Sequence, residues 1–134
     1  MRYLLDVNAL VALGFLEHEF HDRVAHWVAR LGDGTHDEIL TCPITELGFV
    51  RVLSLVPQYG LTVDQSKTLL VRLKKQKTVP FGFVTDDHDI SRLPAWAKTG
   101  RQTTDGHLAE LARAHNSVLA TLDQRIPAAF VIPG

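Results

Sequence analysis

With a single cysteine, Cys42, in 134 residues, the chain cannot form an internal disulfide framework or a zinc site built from several thiolates. That shortage suits a reducing compartment, and the cytoplasm is the expected location. Long hydrophobic runs are also missing, and no stretch approaches the roughly 20 apolar residues that cross a bilayer. The apolar segment from Leu4 to Leu16 is broken by Asp6 and Asn8 and has no small-residue cleavage pattern, so it reads as buried structure and not as a secretory signal. No membrane partner is expected. An excess of one charge is absent too. The formal net charge of −1 leaves no basic footprint, so any role with nucleic acid must rest on local patches. Low-complexity tracts, internal repeats and long linkers are lacking. With 46% hydrophobic and 22% charged residues, one folded domain over residues 1–134 is expected. A domain of that size buries roughly two-thirds of its unfolded surface, enough for one sizeable core.

What is present alternates between two patterns. Apolar runs closed by polar or turn residues predict short buried strands at Tyr3–Leu5, Glu38–Thr41, Phe81–Thr85, Ser117–Thr121 and Phe130–Ile132. Helical patterns lie between them. Pro43 suits the first turn of a helix running to about Leu55. Thr62 and Gln65 have capping-box spacing ahead of Leu69, Leu70 and Leu73. Thr104 is placed to cap a helix with Leu108, Leu111 and Ala112 on its inner face. The segment from Asp86 to Arg101, with Pro94, Gly100 and three aspartates, predicts a long loop with a helical turn. Strands alternating with helices make an α/β domain on a mainly parallel sheet.

Four acids occupy equivalent places in that plan. Asp6 ends the first strand, Asp123 closely follows the strand ending at Thr121, Asp105 opens the late helix, and Glu46 lies in the first turns of the helix after the second strand. Each is near a strand's carboxyl end or a helix's amino end. In an open parallel sheet these ends share one face, and ligands bind there where the strand order reverses. Two such charges 4 Å apart repel by about 4 kcal/mol at an effective dielectric of 20. Their crowding should hold the folded-state pKa values above the ordinary range. Hard oxygen ligands without imidazole or thiolate favour Mg²⁺ or Mn²⁺. Such a site can activate water against a phosphodiester. Acids also cap helices and decorate loops, and one aspartate alone would be read that way. Asp6 resists that reading because it interrupts an apolar run that a core would keep apolar.

The stretches LLDVNALVAL from Leu4 to Leu13, ITELGFVRVL from Ile44 to Leu53 and RQTTDGHLAELARAHNSVLATLD from Arg101 to Asp123 resemble the PIN-domain ribonucleases, and within them the VapC toxins of prokaryotic toxin–antitoxin pairs. The resemblance spans most of the chain in the family's order, and its last stretch is the most specific. It implies a Rossmann-like, mainly parallel sheet flanked by helices. It also implies endonucleolytic cleavage of RNA with Mg²⁺ or Mn²⁺, a homodimer, and inhibition by a small VapB-like antitoxin that delivers an arginine to the acids. Asp6, Glu46, Asp105 and Asp123 match the family's catalytic and metal-binding acids. Asn8 matches a polar position of the first motif, and period-two alternation would turn it to the side of Asp6 if the strand continued. Thr121 bears the same relation to Asp123, and both are assigned hydrogen-bonding roles behind the acids. Gly106, following Asp105, departs from helix preference by roughly 1 kcal/mol and puts the local helix start in question.

Other features have plainer readings. His18, His21 and His26 invite a metal site, but they lack a zinc spacing, and a surface helix or loop is the default. Asp86, Asp87 and Asp89 are read as loop and cap residues. His107, two residues after Asp105, is a candidate substrate contact, whereas His115 lies further along the chain. Arg51 is the cation expected nearest Glu46 and a candidate RNA contact, while the run from Arg72 to Lys77 is read as a solvated helix end. Val24, Trp27, Val28 and Leu31 form a helix-spaced stripe that can face the core or a partner. Trp96, like Trp27, is read as a core or interface anchor. Three rival functions share the same plan. A phospho-acceptor receiver domain lacks its lysine here, and an aspartyl phosphatase would carry an acid where Asn8 stands. A catalytically silent RNA-binding module would bind without cutting.

Overall fold

Tyr3 and Leu5 enter one hydrophobic cluster and Leu4, between them, enters another, as period-two alternation requires of a strand covered on both faces. Ile39 and Leu40 divide in the same way, as do Ala120 and Leu119. A computed structural model describes residues 1–34 and 36–134. Its strands are β1 (Arg2–Leu5), β2 (Glu38–Thr41), β3 (Phe81–Phe83), β4 (Val118–Thr121) and β5 (Phe130–Val131), all parallel, in the order β3-β2-β1-β4-β5. Leu4 sits opposite Leu40 on one side and Leu119 on the other. The order reverses between β1 and β4, which places a ligand crevice above their carboxyl ends.

Four helices, α1 (Val7–Gly14), α2 (His21–Leu31), α3 (Pro43–Leu55) and α4 (Val63–Lys75), supply the layer on one face. The other face is covered by α5 (Thr103–Ala114) together with residues of the segment that precedes it. The stripe on α2 faces the core: Val24, Trp27, Val28 and Leu31 are buried, and Trp27 stands edge-on to Tyr3 with ring centroids 5.0 Å apart. Trp96 packs, partly buried, against the second cluster.

Local signals set most element ends. Thr62 accepts from the Gln65 N–H at 3.0 Å while the Gln65 side chain accepts from the Thr62 N–H at 2.9 Å, the capping box expected there. Pro43 opens α3. Several ends differ from expectation: β1 begins one residue earlier, at Arg2, while β3 stops at Phe83 and β5 at Val131, short of Thr85 and Ile132. The strand at Ser117 starts one residue later, because the Ser117 N–H and hydroxyl both bond the Ala112 carbonyl that ends α5. Thr104 does not cap α5, which begins at Thr103. A 3₁₀ turn at Gly100–Gln102 feeds into the helix, with the Gln102 side chain accepting from the Lys98 and Thr99 N–H groups. The preceding segment is a loop with a second 3₁₀ turn at Ile90–Arg92, capped by Asp89, which accepts from the Ser91 N–H at 2.9 Å.

Gly106 has a packing reason. A Cβ there would lie 2.9 Å from the Ala97 Cβ and 3.2 Å from the Pro94 Cγ, so the absent side chain lets α5 close onto the 93–97 segment. Gly106→Ala is therefore expected to destabilise the protein by about 1–3 kcal/mol through overpacking, against a helix-propensity gain of about 1 kcal/mol. Urea unfolding at neutral pH measures the balance, and a net gain in stability would contradict this close packing.

Candidate active site

Asp6 lies at the junction where β1 becomes α1. It is buried, 5% exposed, and its backbone N–H still reaches the Ala120 carbonyl at 3.1 Å. The side chain caps α1, Oδ1 accepting from the Ala9 N–H at 2.8 Å. Oδ2 accepts from the Thr121 hydroxyl at 2.6 Å. Both oxygens are thus fixed, one by the first turn of α1 and the other by the end of β4. Burial pushes its pKa up to about 6; the Thr121 and Ala9 hydrogen bonds oppose the shift, and the neighbouring charges of Asp105 and Asp123 add to it.

Thr121 ties a second acid to the first. Its oxygen accepts from the Asp123 N–H at 3.0 Å, so one hydroxyl spans Asp6 and the backbone of Asp123. Asp105, half-buried in the first turn of α5, is also raised, first by burial and then by Asp123. Asp123 runs the other way. The Arg125 guanidinium grips both of its oxygens, Nε on Oδ1 at 3.0 Å and an Nη on Oδ2 at 3.1 Å, and holds the carboxyl below its ordinary range. Burial, with a smaller contribution from neighbouring charge, therefore raises two of the acids, and a local cation lowers the third.

Glu46 stands at the carboxyl edge beside β2, but its carboxylate is engaged elsewhere. It accepts from the Thr41 hydroxyl at 2.7 Å and from Lys74 Nζ on α4 at 2.5 Å. Its cation is Lys74, from the run read as a solvated helix end; Arg51 is exposed on α3 with no ion pair among the described residues. Asn8 departs from the alternation argument. The chain leaves the strand at Asp6, so Asn8 is the second residue of α1 and is exposed. The three histidines do not converge: His18 Nδ1 accepts from the Phe20 N–H, His21 Nδ1 bonds the Ala12 carbonyl, and His26 is exposed. His107 pairs with Asp86, Nε2 to Oδ2 at 2.6 Å, so Asp86 is more than a loop acid. Arg125 was missed by sequence reasoning. Its spacing of two from Asp123, suited to an Asx turn in which the Arg125 N–H donates to Asp123 at 2.9 Å, was the available signal.

The donor set fits a hard cation. Asp6 and Asp105 are carboxylates held above their ordinary pKa without a cationic partner at hydrogen-bond distance, a condition that a divalent ion relieves. Among the described residues no three acidic, imidazole or thiolate side chains are gathered tightly enough to form a complete cage.

A parallel sheet with acids above its reversal point defines an α/β domain, and sequence relationships make the class specific. The family model for the PIN domain matches residues 3–130, and the chain belongs to that family. Within it the chain falls among the VapC ribonucleases. It is 35% identical over 124 residues to ribonuclease VapC29 of Mycobacterium tuberculosis (strain CDC 1551 / Oshkosh), covering 92% of this chain and 86% of the relative. To ribonuclease VapC44 of M. tuberculosis (strain ATCC 25618 / H37Rv) it is 36% identical over 141 residues, covering 100% and 94%. The fold is similar to the crystal structure of VapBC2 from Rickettsia felis bound to a DNA fragment from their promoter, with a TM-score of 0.63 and 16% identity over 97% of this chain and 96% of that one.

The raised pKa of Asp6 has a sign that can be measured. Its ordinary value is 3.8, so folding stability contributed by the protonated form is complete below that and is lost as pH rises through about 6. Asn caps helices as well as Asp does. In metal-free buffer Asp6→Asn should match wild type near pH 4 and exceed it at pH 8, by on the order of 3 kcal/mol. Urea unfolding of both proteins across that range tests this; a difference that does not change with pH would show that Asp6 is not held above its ordinary value.

Proposed function

We propose that the chain is a metal-dependent endoribonuclease, the toxin of a toxin–antitoxin pair, with Mg²⁺ as its ion and Mn²⁺ as a substitute. The observation that carries this reading is the buried Asp6 carboxylate, raised to about 6, beside Asp105 and Asp123 at the reversal point of a PIN-domain sheet. Asp6 and Asp105 would supply the ion's carboxylates, with Asp123 beside them, held by Arg125, and Glu46 as a fourth carboxylate at the same edge. When bound, a divalent ion lowers the pKa of water and offsets the charge on a phosphodiester. Thr121 and the Ala9 N–H fix Asp6 so that its oxygens do not reorient. The Asp105 carboxylate, raised by burial, accepts a proton from the attacking water more readily than an exposed acid would. The water oxygen bonds to phosphorus as a bridging P–O bond breaks, and the departing sugar oxygen takes a proton from solvent to leave as the alcohol. Arg125, on the same rim, supplies a guanidinium to the phosphate oxygens.

A VapB-like antitoxin is the proposed protein partner, placing an arginine among the acids. Apolar surface for it exists beside α1 and α4, where Phe15, Leu61 and Leu69 line a cleft of about 520 Å³ and Leu16 is 75% exposed. A homodimer is supported by a second apolar face, formed by Leu47, Val63, Val71 and Phe83. Cleavage of single-stranded RNA should require Mg²⁺ or Mn²⁺, stop in EDTA, and be lost in Asp6→Ala and Asp105→Ala. Equal cutting in EDTA, or full activity in both variants, would end the nuclease reading. Metal should also couple to unfolding: Mg²⁺ at 100 times its dissociation constant stabilises a one-site protein by about 2.7 kcal/mol. Asp105→Asn should gain less than wild type in the same urea titration, and an equal gain would remove Asp105 from the ion's shell. Co-purification with the product of the neighbouring gene, with activity suppressed, is the expected result for the antitoxin; an undiminished nuclease in its presence would exclude it.

A further inference from the structure

Beyond the acids, the same rim opens on a pocket of about 640 Å³ lined by Asn8, His18, Phe20, Leu122 and Gln124 and by the charged side chains of Glu19, Asp123 and Arg125. That volume lies in the range of small-molecule sites. Its lining is unlike that of the apolar cleft by α4. Phe20 is a large apolar side chain left 39% exposed, yet its ring is not loose. The His18 ring lies at a centroid distance of 5.9 Å, and the Arg23 guanidinium stands 6.0 Å from the ring centroid. Arg23 is itself anchored, donating from Nε and an Nη to the Ile132 carbonyl at 3.0 and 2.5 Å. The result is a positioned aromatic plate at the mouth of a polar pocket.

The polar groups are also organised. His18 Nδ1 accepts from the Phe20 N–H at 3.0 Å, which places the imidazole proton on Nε2. Burial lowers the His18 pKa and favours that neutral tautomer. The Nε2–H has no protein partner among the described residues. Asn8 and Gln124 are exposed, and each carries an amide with donors and an acceptor. An aromatic face, one fixed N–H donor and two amides are the set that recognises an unstacked nucleobase, the face by stacking and the edge by hydrogen bonds. A bare phosphate would not use the plate, and an apolar ligand would leave the amides unmatched.

We propose that this pocket receives the base of the single-stranded RNA nucleotide adjoining the phosphodiester at Asp6, Asp105 and Asp123, with Phe20 stacking on it and His18, Asn8 and Gln124 reading its edge. This assignment rests on the ribonuclease reading above and adds to it where sequence preference arises. Arg125 sits on the wall between this pocket and a smaller one lined by Trp96, Arg101 and Asp105. The strand then passes the acids with its base on the Phe20 side.

Two measurements on the full chain test it. One is anisotropy of fluorescein-labelled decamers of A, C and U in EDTA. The other is cleavage of a random-sequence RNA pool in Mg²⁺, with the cut ends sequenced. Phe20→Ala should weaken decamer binding and raise KM on the order of 10-fold, the scale of one lost stacking contact, whereas Phe20→Tyr should stay within about two-fold of wild type. His18→Ala and Gln124→Ala should flatten the preference at one position beside the cut without moving the pH profile of cleavage. Gln124 is exposed, so its variant settles the matter if Phe20→Ala does not fold. If wild type cuts RNA and these variants keep its affinity and its preference, the pocket is not a base site and the ribonuclease reading stands. Phe20-dependent binding by a protein that cuts no RNA would overturn the nuclease and keep the pocket. Neither binding nor cutting would overturn both.

Discussion

Asp6 carries a charge into the place where the fold can least ignore it. One oxygen caps α1 through Ala9 and the other takes the Thr121 hydroxyl, so β1, α1 and β4 meet on one carboxylate. Those contacts explain why a polar group is tolerated in an apolar run: both oxygens are bonded, and burial without partners would cost several kcal/mol. They do not neutralise the charge. Hydrogen bonds lower the pKa, but burial outweighs them, leaving the group at about 6. The architecture above the sheet can be understood as the arrangement that holds this one side chain still while leaving its charge unanswered.

Other acids on the rim are answered locally. Asp123 has Arg125, Glu46 has Lys74, and Asp86 has His107 together with the His88 N–H, whose hydrogen bonds hold its carboxyl low despite burial. Asp105 and Asp6 are the two left high. The distribution concentrates the demand for a cation at the reversal point between β1 and β4 and not uniformly along the edge. It also separates two kinds of acid that composition treats alike. Exposed pairs such as Asp123–Arg125 are weakly held and can exchange partners with a phosphate at little cost. The buried Asp6 cannot.

How much of this could be read from the chain depends on the range of the interaction. Periodicities are local, so the five strands, the capping box at Thr62 and Gln65, and the start of α3 at Pro43 were legible. Asp6, Asp105 and Asp123 were legible because each follows or precedes an element whose end the sequence marks. Glu46 was placed at the right edge, but its partner Lys74 lies 28 residues away on another helix, and nothing local specifies that pairing. Asn8 failed for a different reason: the run from Leu4 to Leu13 is apolar throughout apart from two residues, and neither strand nor helix period can be told from such a run. The helix won because Asp6 caps it. Gly106 read as a defect in α5 because the 93–97 segment that it accommodates has no periodicity of its own.

The two walls of the crevice are held by unequal amounts of buried surface. The face bearing α1 to α4 gathers eighteen buried apolar residues among those described, whereas the face bearing α5 gathers nine. Thr121 ends β4 and Asp6 follows β1 directly, its carboxylate fixed by α1 and β4. Asp105 instead rides on the first turn of α5, whose approach to its neighbours is set by Gly106 against Pro94 and Ala97 in a loop. Local opening follows the regions with fewest buried contacts. Asp105 is therefore carried by the softer wall and Asp6 by the stiffer one. Phe20 and His18 stand on the stiffer side, packed through Arg23 to the chain after β5. A nucleotide entering the crevice would meet a fixed recognition surface on one side and an adjustable acid on the other, the division of labour that lets one wall select the substrate while the other closes on it.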